Sequence, residues 1–180
     1  MVFTVDGKLW LAAMRSESSL PDHLVLREFQ FPDDFSQVIN LWKNAGPGIH
    51  LRRSDDNDEI AKKLQRDPDL FLVAEIDKLI IGSVLGGFDG RRGMVYHLAV
   101  DDYYRKRGIG AVLMNELEKR LIQKGCIRTY LLVTRDNGNA IRFYETMGWE
   151  QMDQFYQIIR HKWLLYKIIS PSLNTFFFEI

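Results

Sequence analysis

The segment with the clearest chemical character is a basic loop with two glycines that follows an apolar strand. Residues 98–100 read Leu-Ala-Val, and residues 105–107 read Arg-Lys-Arg directly before Gly108 and Gly110. The free N–H groups at the start of a helix, together with the helix dipole, attract an anion. Glycine lets the backbone approach a phosphate closely. The segment therefore predicts a phosphate or pyrophosphate site at a helix start.

Two common phosphate-binding motifs do not fit this loop. A P-loop needs a Lys-Ser/Thr pair after its second glycine, whereas Ala111 and Val112 follow Gly110. The dinucleotide-binding pattern needs a third glycine where Leu113 stands. For a bare Gly-x-Gly, a structural turn with solvated basic residues is the better interpretation. The strand before the loop, its charges and the long helix after it favour the anion site.

Two motifs resemble those of the GNAT superfamily of N-acetyltransferases. The segment Arg105-x-x-Gly108-x-Gly110 resembles its acetyl-CoA pyrophosphate motif, and residues 137–149 are similar to its second signature, Asn-x-x-Ala-x-x-x-Tyr-x-x-x-Gly-aromatic. The two motifs together are far more specific than either one alone. The resemblance covers roughly residues 24–163. Residues 70–100 look especially like the YpeA type of small acetyltransferase.

The resemblance implies a direct transfer of an acetyl group from acetyl-CoA, as co-substrate, to a small-molecule or peptide amine. The backbone of the strand would pair with the pantetheine arm like an added strand. Asn137 would bind the pantetheine or cap its own helix, and these alternatives stay open. Tyr144 would protonate the leaving thiolate, although a lone buried tyrosine is more often a core residue. The cofactor-binding candidates are Leu98, Ala99, Val100, Arg105, Lys106, Arg107, Gly108, Ile109, Gly110, Ala111, Asn137, Ala140 and Tyr144.

The sequence departs from the family pattern at the positions of the general base. A lysine-like amine has a pKa of ~10.4, so presenting it neutral at pH 7 costs roughly 4 to 5 kcal/mol. Members of the family often help with a carboxylate on the central strands. Met94 and Leu132 stand at those positions here. This departure favours a second hypothesis, a non-catalytic acyl-CoA-binding regulatory module.

Strand alternation suggests which other side chains could reach the acceptor. Tyr96 is expected to share a face with Met94 and Leu98, whereas His97 has the opposite parity and is interpreted as a packed histidine. Glu75, on the central hairpin, could act through a water. The catalytic candidates are therefore Tyr144, Tyr96 and Glu75.

The resemblance also implies that two basic segments border the acceptor cleft. They are residues 44–53, which include His50, Arg52 and Arg53, and the turn at residues 88–92. Their charge favours an acceptor with an acidic part, and a solvated basic loop is an equal alternative. The acidic run at residues 55–59 lacks the glycine of a calcium loop, so we expect a helix entry and no metal.

Composition gives bounds on partners and location. Lys plus Arg equals Asp plus Glu at 24 each, so no global field points to nucleic acid or a membrane. The single cysteine, Cys126, excludes an intramolecular disulfide and fits a reducing compartment. No apolar run reaches the ~20 residues of a membrane helix. We expect a cytoplasmic protein without nucleic-acid or membrane partners.

The elements that position these motifs predict an α/β (α+β) fold. The elements indicate one mixed sheet flanked by helices, and the resemblance implies that the sheet is mostly antiparallel, as in the GNAT-like acyl-CoA N-acyltransferase fold. Predicted helices cover residues 35–42, a segment from Asp56 that Glu59 helps to cap, and residues 108–124 and 137–147. Predicted strands cover residues 24–28, 70–76, 79–85, 94–100 and 128–133, and residues 149–152 are expected to pair with 155–163.

Three parts are expected along the chain. Residues 1–23 form an N-terminal extension with a hairpin turn at Asp6-Gly7, residues 24–163 the acetyltransferase domain, and residues 164–180 an apolar tail. The tail contains three consecutive phenylalanines, and burying each is worth about 1.5–3 kcal/mol. We expect it to pack on its own sheet edge or on a second subunit, which would make the protein a homodimer. The alternative is an unpacked addition.

Overall fold

A computed structural model describes residues 2–6, 20–46 and 48–152. Within these ranges the chain forms seven strands and four α-helices. The helices are α1 (Phe35–Asn44), α2 (Asn57–Arg66), α3 (Ile109–Gln123) and α4 (Gly138–Thr146). The strands are β1 (Val2–Asp6), β2 (Val25–Glu28), β3 (Phe71–Ile76), β4 (Leu79–Phe88), β5 (Arg92–Val100), β6 (Arg128–Leu132) and β7 (Glu150–Gln151).

All strands join one mixed sheet in the order β2-β3-β4-β5-β6-β1-β7. Every pair is antiparallel except β5 and β6, which are parallel. That parallel pairing extends only from Arg92 opposite Arg128 to Val95 opposite Leu131. Beyond these residues the two strands separate, and we call this opening the strand split. The predicted fold class is confirmed.

Helices cover both faces of the sheet. The apolar residues at every fourth position of α3 are fully buried, as predicted, and they pack on Val84 and Val95 together with Trp149. On the opposite face, Trp42 of α1 packs with Phe71, and its indole N–H donates to the Ser83 hydroxyl at 2.9 Å. Burial of such large side chains is worth about 1.5–3 kcal/mol each. The two cores therefore fix the sheet between α1–α2 and α3–α4.

A β-bulge interrupts β5 next to the strand split. Leu85 pairs with His97 and Gly86 with Val95, so Tyr96 is an extra residue opposite β4. A bulge shifts the alternation of side chains along its strand. His97 therefore lies on the α1 face, against Trp42, while Leu98 packs on the α3 side.

The predicted alternation along this strand is corrected in two places. Leu98 does not share the face of Met94 and Tyr96, and the parity assigned to His97 is reversed. The physical reason is the bulge, because one inserted residue reverses the facing of all residues that follow it.

Most predicted elements are confirmed with shifted ends. The strand predicted to end at residue 85 continues to Phe88, and α2 begins at Asn57 after Asp56, without a side-chain capping bond. Glu59 instead forms an ion pair with Lys62 at 2.6 Å. β1 pairs with β6 and β7, so it belongs to the central sheet.

Several predictions fall on parts of the chain outside the described residues. They are the second strand of the N-terminal hairpin at residues 8–11, the strand at residues 155–163 and the tail at residues 164–180. Within the described ranges, none of the helices combines the length and the apolar character needed to cross a membrane.

Candidate functional site

The loop between β5 and α3 has the backbone geometry of an anion site. Lys106 and Gly108 adopt positive φ values of 60° and 81°, on either side of Arg107. Alternation of the sign of φ turns successive N–H groups toward one side and forms a concave nest for anions. Gly108 is also the N-cap of α3, so the free N–H groups of the first turn point the same way. A residue with a β-carbon at Gly108 would add about 1–2 kcal/mol of strain.

Arg105 holds this loop in place. Its guanidinium donates to the carbonyl oxygen of Val100 at 3.0 Å and to that of Ala45 at 2.8 Å, and it pairs with Asp102 at 2.6 Å. These bonds join the loop to the end of β5 and to the end of α1. The rim charge predicted for Arg105 is thus largely used inside the protein.

Lys106 and Arg107 keep their charges available at the rim. Both side chains are exposed and, among the described residues, neither forms an ion pair. The guanidinium of Arg107 lies over the rings of Tyr103 and Tyr104, at 5.9 and 5.7 Å from their centres. Stacking of this kind orients a guanidinium without neutralising it. These two residues are therefore the local cations that fit a pyrophosphate.

The predicted strand-like recognition needs an edge of β5 that pairs with no other strand, and among the described residues the β6 side of residues 96–100 is such an edge. Residues 98–100 pair with β4 on one side, while the described pairing with β6 ends at Val95. Ala99 is buried toward α1, and Leu98 and Val100 pack toward α3. Backbone groups of β5 that face the strand split can accept an extended ligand as an added strand.

The start of α3 packs closely against α4. Ile109 is 1% exposed, so its contribution to a bound anion would come from its backbone, and Ala111 is half-buried. A β-carbon on Gly110 would lie 3.4 Å from the Phe143 ring. The absence of a side chain at Gly110 therefore serves helix packing as well as approach to a phosphate.

Asn137 caps α4, one of its two predicted roles. Its side-chain oxygen accepts the N–H of Ala140 at 3.1 Å. A β-carbon on Gly48 would lie 2.5 Å from the Asn137 amide nitrogen, so this glycine leaves room for the amide. The capping role is confirmed, and the role in pantetheine binding stays a prediction.

Tyr144 is buried inside the α3 side of the sheet. It is 7% exposed, and its ring meets Phe143 and Trp149 edge-on at 5.1 and 5.9 Å. Burial raises the pKa of its hydroxyl above the ordinary value. The hydroxyl therefore stays protonated at neutral pH and can act as a proton donor.

A cleft of about 490 Å³ opens where β5 and β6 separate, and we call it the acceptor cleft. Met94 and Tyr96 line it from β5, and Tyr130 and Leu132 from β6. The walls contributed by these two strands thus carry no carboxylate. Partial burial of its ring and the charge of Asp67 raise the pKa of Tyr96, so its hydroxyl is a hydrogen-bonding group and not a base at neutral pH.

The segments around the cleft differ in part from the prediction. The turn at residues 88–92 contributes as expected, but His50, Arg52 and Arg53 are not among the lining residues. The last turn of α2 takes their place with Lys63 and Arg66. Sequence reasoning missed these two residues because only the packing of α2 on the sheet brings them there. Tyr130 had a readable signal, since it lies two residues before Leu132 on the same face of a strand.

Glu75 does not reach this cleft, which corrects its predicted role as a base. Its carboxylate accepts the Nε–H of Arg27 at 2.8 Å, and Arg27 also binds Asp34, with Nη2 at 2.9 Å from a carboxylate oxygen. Burial opposes ionisation of Asp34, but hydrogen bonds from Arg27 and the Gln30 backbone outweigh it and lower the pKa. The cluster of Arg27, Asp34 and Glu75 thus holds the start of α1 against the sheet.

His97 is a packed residue, as predicted, with a partner that the sequence did not indicate. Its Nε2 lies 2.9 Å from a carboxylate oxygen of Asp55, and its ring lies 4.6 Å from that of Trp42. The other Asp55 oxygen accepts the backbone N–H of Arg52 at 2.8 Å. The acidic run predicted as a helix entry thus begins with a buried carboxylate that holds the segment between α1 and α2 against β5.

Comparison with solved structures supports the fold. PaiA N-acetyltransferase from Thermoplasma acidophilum, in complex with coenzyme A, has a TM-score of 0.66 at 22% identity, over 73% of this chain and 92% of that one. Ard1 from Thermoplasma volcanium has a TM-score of 0.62 at 24% identity, over 70% and 82%. At these identities the similarity shows the fold.

Sequence comparison is more specific. An acetyltransferase of Pectobacterium atrosepticum is 46% identical over 121 residues, 67% of this chain and 84% of the relative. An uncharacterized N-acetyltransferase of Yersinia pestis is 44% identical over 128 residues, 71% and 89%. The profile of the acetyltransferase (GNAT) family matches residues 35–149. The chain therefore belongs to the GNAT family and is an N-acetyltransferase by that membership.

Proposed function

We propose that the protein transfers an acetyl group from acetyl-CoA to a primary amine by direct attack in a ternary complex. The observation that carries this proposal is the strand split, which has an anion-binding helix start beside it and a cleft at its mouth. The coenzyme A complex of the similarly folded PaiA supports the choice of cofactor. Acetyl-CoA supplies the activated acetyl thioester.

Each part of the site has a task in this reaction. The N–H groups of residues 105–110 and the side chains of Lys106 and Arg107 hold the pyrophosphate. The free edge of β5 holds the pantetheine arm and directs its end toward the acceptor cleft. Alignment of the two reactants supplies part of the rate, since effective molarities of well-oriented groups reach about 10⁵–10⁸ M. Tyr144 donates the proton that the leaving thiolate takes up.

The amine must lose a proton, and the cleft walls from β5 and β6 offer it no carboxylate. Tyr96 fits the role of a hydrogen-bonding partner that orients the amine. We propose that the ammonium proton leaves to water before attack, so the rate rises with pH up to the pKa of the amine. The cytoplasmic location and the absence of a nucleic-acid partner remain parts of this proposal.

The cofactor assignment is tested by replacing Gly108. Gly108→Glu puts a negative side chain and backbone strain into the anion nest, and we expect acetyl-CoA binding measured by calorimetry to be lost. Gly125→Glu is the matched control, because Gly125 has the same φ of 81°, follows α3 and has open space around it. If both variants bind acetyl-CoA like the parent, the loop is not the pyrophosphate site.

Met94 and Leu132 favour a second candidate, a module that binds acyl-CoA without turning it over. Release of free thiol from acetyl-CoA, measured over a panel of primary amines, separates the two. Amine-dependent release supports the acetyltransferase. Tight binding without release for any amine supports the module.

A further inference from the structure

The acceptor cleft lies at the mouth of the strand split. The last paired residues of β5 and β6 are Val95 and Leu131, and the next residue of each strand, Tyr96 and Leu132, lines the cleft. A thioester held in the split therefore faces the cleft. The identity of the amine that the cleft selects can be inferred from its walls, and this inference rests on the proposed function.

Two arginines of the cleft form no ion pair within the described part of the protein. Arg66 donates to the backbone oxygen of Phe88 at 2.8 Å, and the Arg92 guanidinium lies 5.6 Å from the centre of the Tyr130 ring. Among the described residues, neither has a carboxylate within ion-pair distance. Both are exposed. Each can therefore offer guanidinium N–H donors to a ligand.

The other charges of the cleft are already engaged. Lys63 forms an ion pair with Asp67 at 2.8 Å, and Asp67 is buried. Asp89 accepts the backbone N–H groups of Arg91 and Arg92 at 2.7 and 2.6 Å, which closes the turn between β4 and β5. The residues that line the cleft thus include three cations, Lys63, Arg66 and Arg92, and two carboxylates, Asp67 and Asp89. Both carboxylates have hydrogen-bonding partners. The cleft has an excess of positive charge.

The remaining walls are apolar and flat. Tyr96 is 53% exposed and Leu132 is 47% exposed, although both lie next to the centre of the sheet. A β-carbon on Gly87 would lie 3.0 Å from the Tyr96 ring, so this glycine lets the ring lie against β4. Aromatic ring faces that lie next to an arginine guanidinium favour contact with a ligand that has a planar, apolar part.

We propose that the acceptor is a primary amine on a flat apolar body that also carries a carboxylate, which Arg92 and Arg66 bind. A guanidinium presents parallel donors that match a carboxylate. The N–C bond forms as the C–S bond of the thioester breaks. The amine gives up one proton, the thiolate takes up one, and the product is an amide that keeps its carboxylate.

The test uses two amines that differ in charge at one end. 4-(Aminomethyl)benzoate and 4-(aminomethyl)benzamide share the ring and the aminomethyl group. We expect kcat/KM, from thiol release, to be at least about 10-fold higher for the benzoate. Arg92→Gln should lower it roughly 10- to 100-fold for the benzoate, as expected for a charged hydrogen bond, and by a clearly smaller factor for the benzamide, whose amide oxygen is a weaker acceptor. Arg66→Gln should act in the same direction.

Arg91→Gln is the matched control. Arg91 precedes Arg92 in the same turn, is exposed and does not line the cleft, so the change in net charge is identical. Equal kcat/KM values for the two amines overturn the proposal, and so does equal behaviour of the Arg91 and Arg92 variants. Turnover of other amines but of neither probe also overturns it.

Failure of the proposed function looks different. In that case no amine releases thiol although acetyl-CoA binds. Saturation-transfer NMR then still measures binding of the benzoate to the coenzyme A complex of each protein. We expect binding to the parent and to the Arg91 variant, and no binding to the Arg92 variant. Loss of this pattern overturns the carboxylate site independently of turnover.

Discussion

Tyr144 is the residue that we propose as the proton donor to the leaving thiolate. Its ring is enclosed by Phe143 and Trp149, and burial keeps its hydroxyl protonated. A group that must deliver a proton to a thiolate at neutral pH needs to hold that proton beforehand. Because burial raises this pKa, the proposed mechanism predicts that ionisation of Tyr144 does not limit the rate as the pH increases from neutral.

Replacing Tyr144 by Phe should therefore lower the rate and leave binding nearly unchanged. We expect kcat to decrease about 10²–10⁴-fold, because the hydroxyl acts in the transition state, with little change in the KM for acetyl-CoA. Steady-state kinetics on an amine for which chemistry limits the rate measures both, and the thermal midpoint checks that the fold is kept. An unchanged kcat would remove Tyr144 from the mechanism.

At the scale of elements, α3 carries two glutamates whose environments differ. Burial raises the pKa of Glu118, whose carboxylate accepts the indole N–H of Trp149 at 2.9 Å. The Glu116 carboxylate is hydrogen-bonded by Arg120 and Lys119, which lowers its pKa. On the same helix, the environment of Glu118 thus disfavours ionisation and that of Glu116 favours it.

These opposite shifts predict opposite pH effects of a Glu→Gln change. The pKa of Glu118 is higher in the folded state than in the unfolded state. Its contribution to stability is therefore complete below the unfolded pKa and is lost as the pH rises through the folded pKa. Glu118→Gln should have a higher thermal midpoint than the parent at pH 7.5, and the two midpoints should be nearly equal close to pH 4. Glu116→Gln should lower the midpoint at pH 7.5 and approach the parent as the pH decreases. Calorimetry at pH 4, 5.5 and 7.5 tests both, and the same sign for the two variants contradicts the assignment.

The elements themselves were largely readable from the sequence, and their local irregularities were not. The apolar spacing in α3 and the near-continuous apolar runs of β3 and β4 predict buried elements without knowledge of their partners. The bulge at Tyr96 depends on how β4 pairs with β5, which one strand alone does not encode. For this reason the facing of His97 and Leu98 was predicted wrongly, while the fold was predicted correctly.

The same limit applies to the candidate site. The loop from Arg105 to Gly110 and the cap at Asn137 are contiguous motifs and could be identified from spacing. The arginines of the acceptor cleft come from α2 and from the turn before β5, and only tertiary packing brings them together. The sequence therefore indicated the motifs of the proposed cofactor half, whereas it did not indicate the arginines of the acceptor cleft.

At the scale of the whole molecule, the proposed cofactor site draws together elements from both faces of the sheet. Arg105 joins the loop before α3 to the last turn of α1, and Asn137 at the start of α4 lies against Gly48. A ligand bound there contacts a site that exists only when α1, α3, α4 and β5 are assembled. Binding to the folded state alone raises stability by mass action.

We therefore expect acetyl-CoA to stabilise the whole protein, by about 2.7 kcal/mol at 100 times its Kd and by about 1.4 kcal/mol more for each further tenfold increase. For a chain of this size 1 kcal/mol corresponds to about 2–4 °C, so the first shift is roughly 5–10 °C. The thermal midpoint, measured against the logarithm of the acetyl-CoA concentration, tests this expectation. Gly108→Glu is the control, and its midpoint should not change with acetyl-CoA. Hydrogen exchange should slow in α1, α3 and α4 together. Protection confined to the loop before α3 would contradict the coupling of both faces.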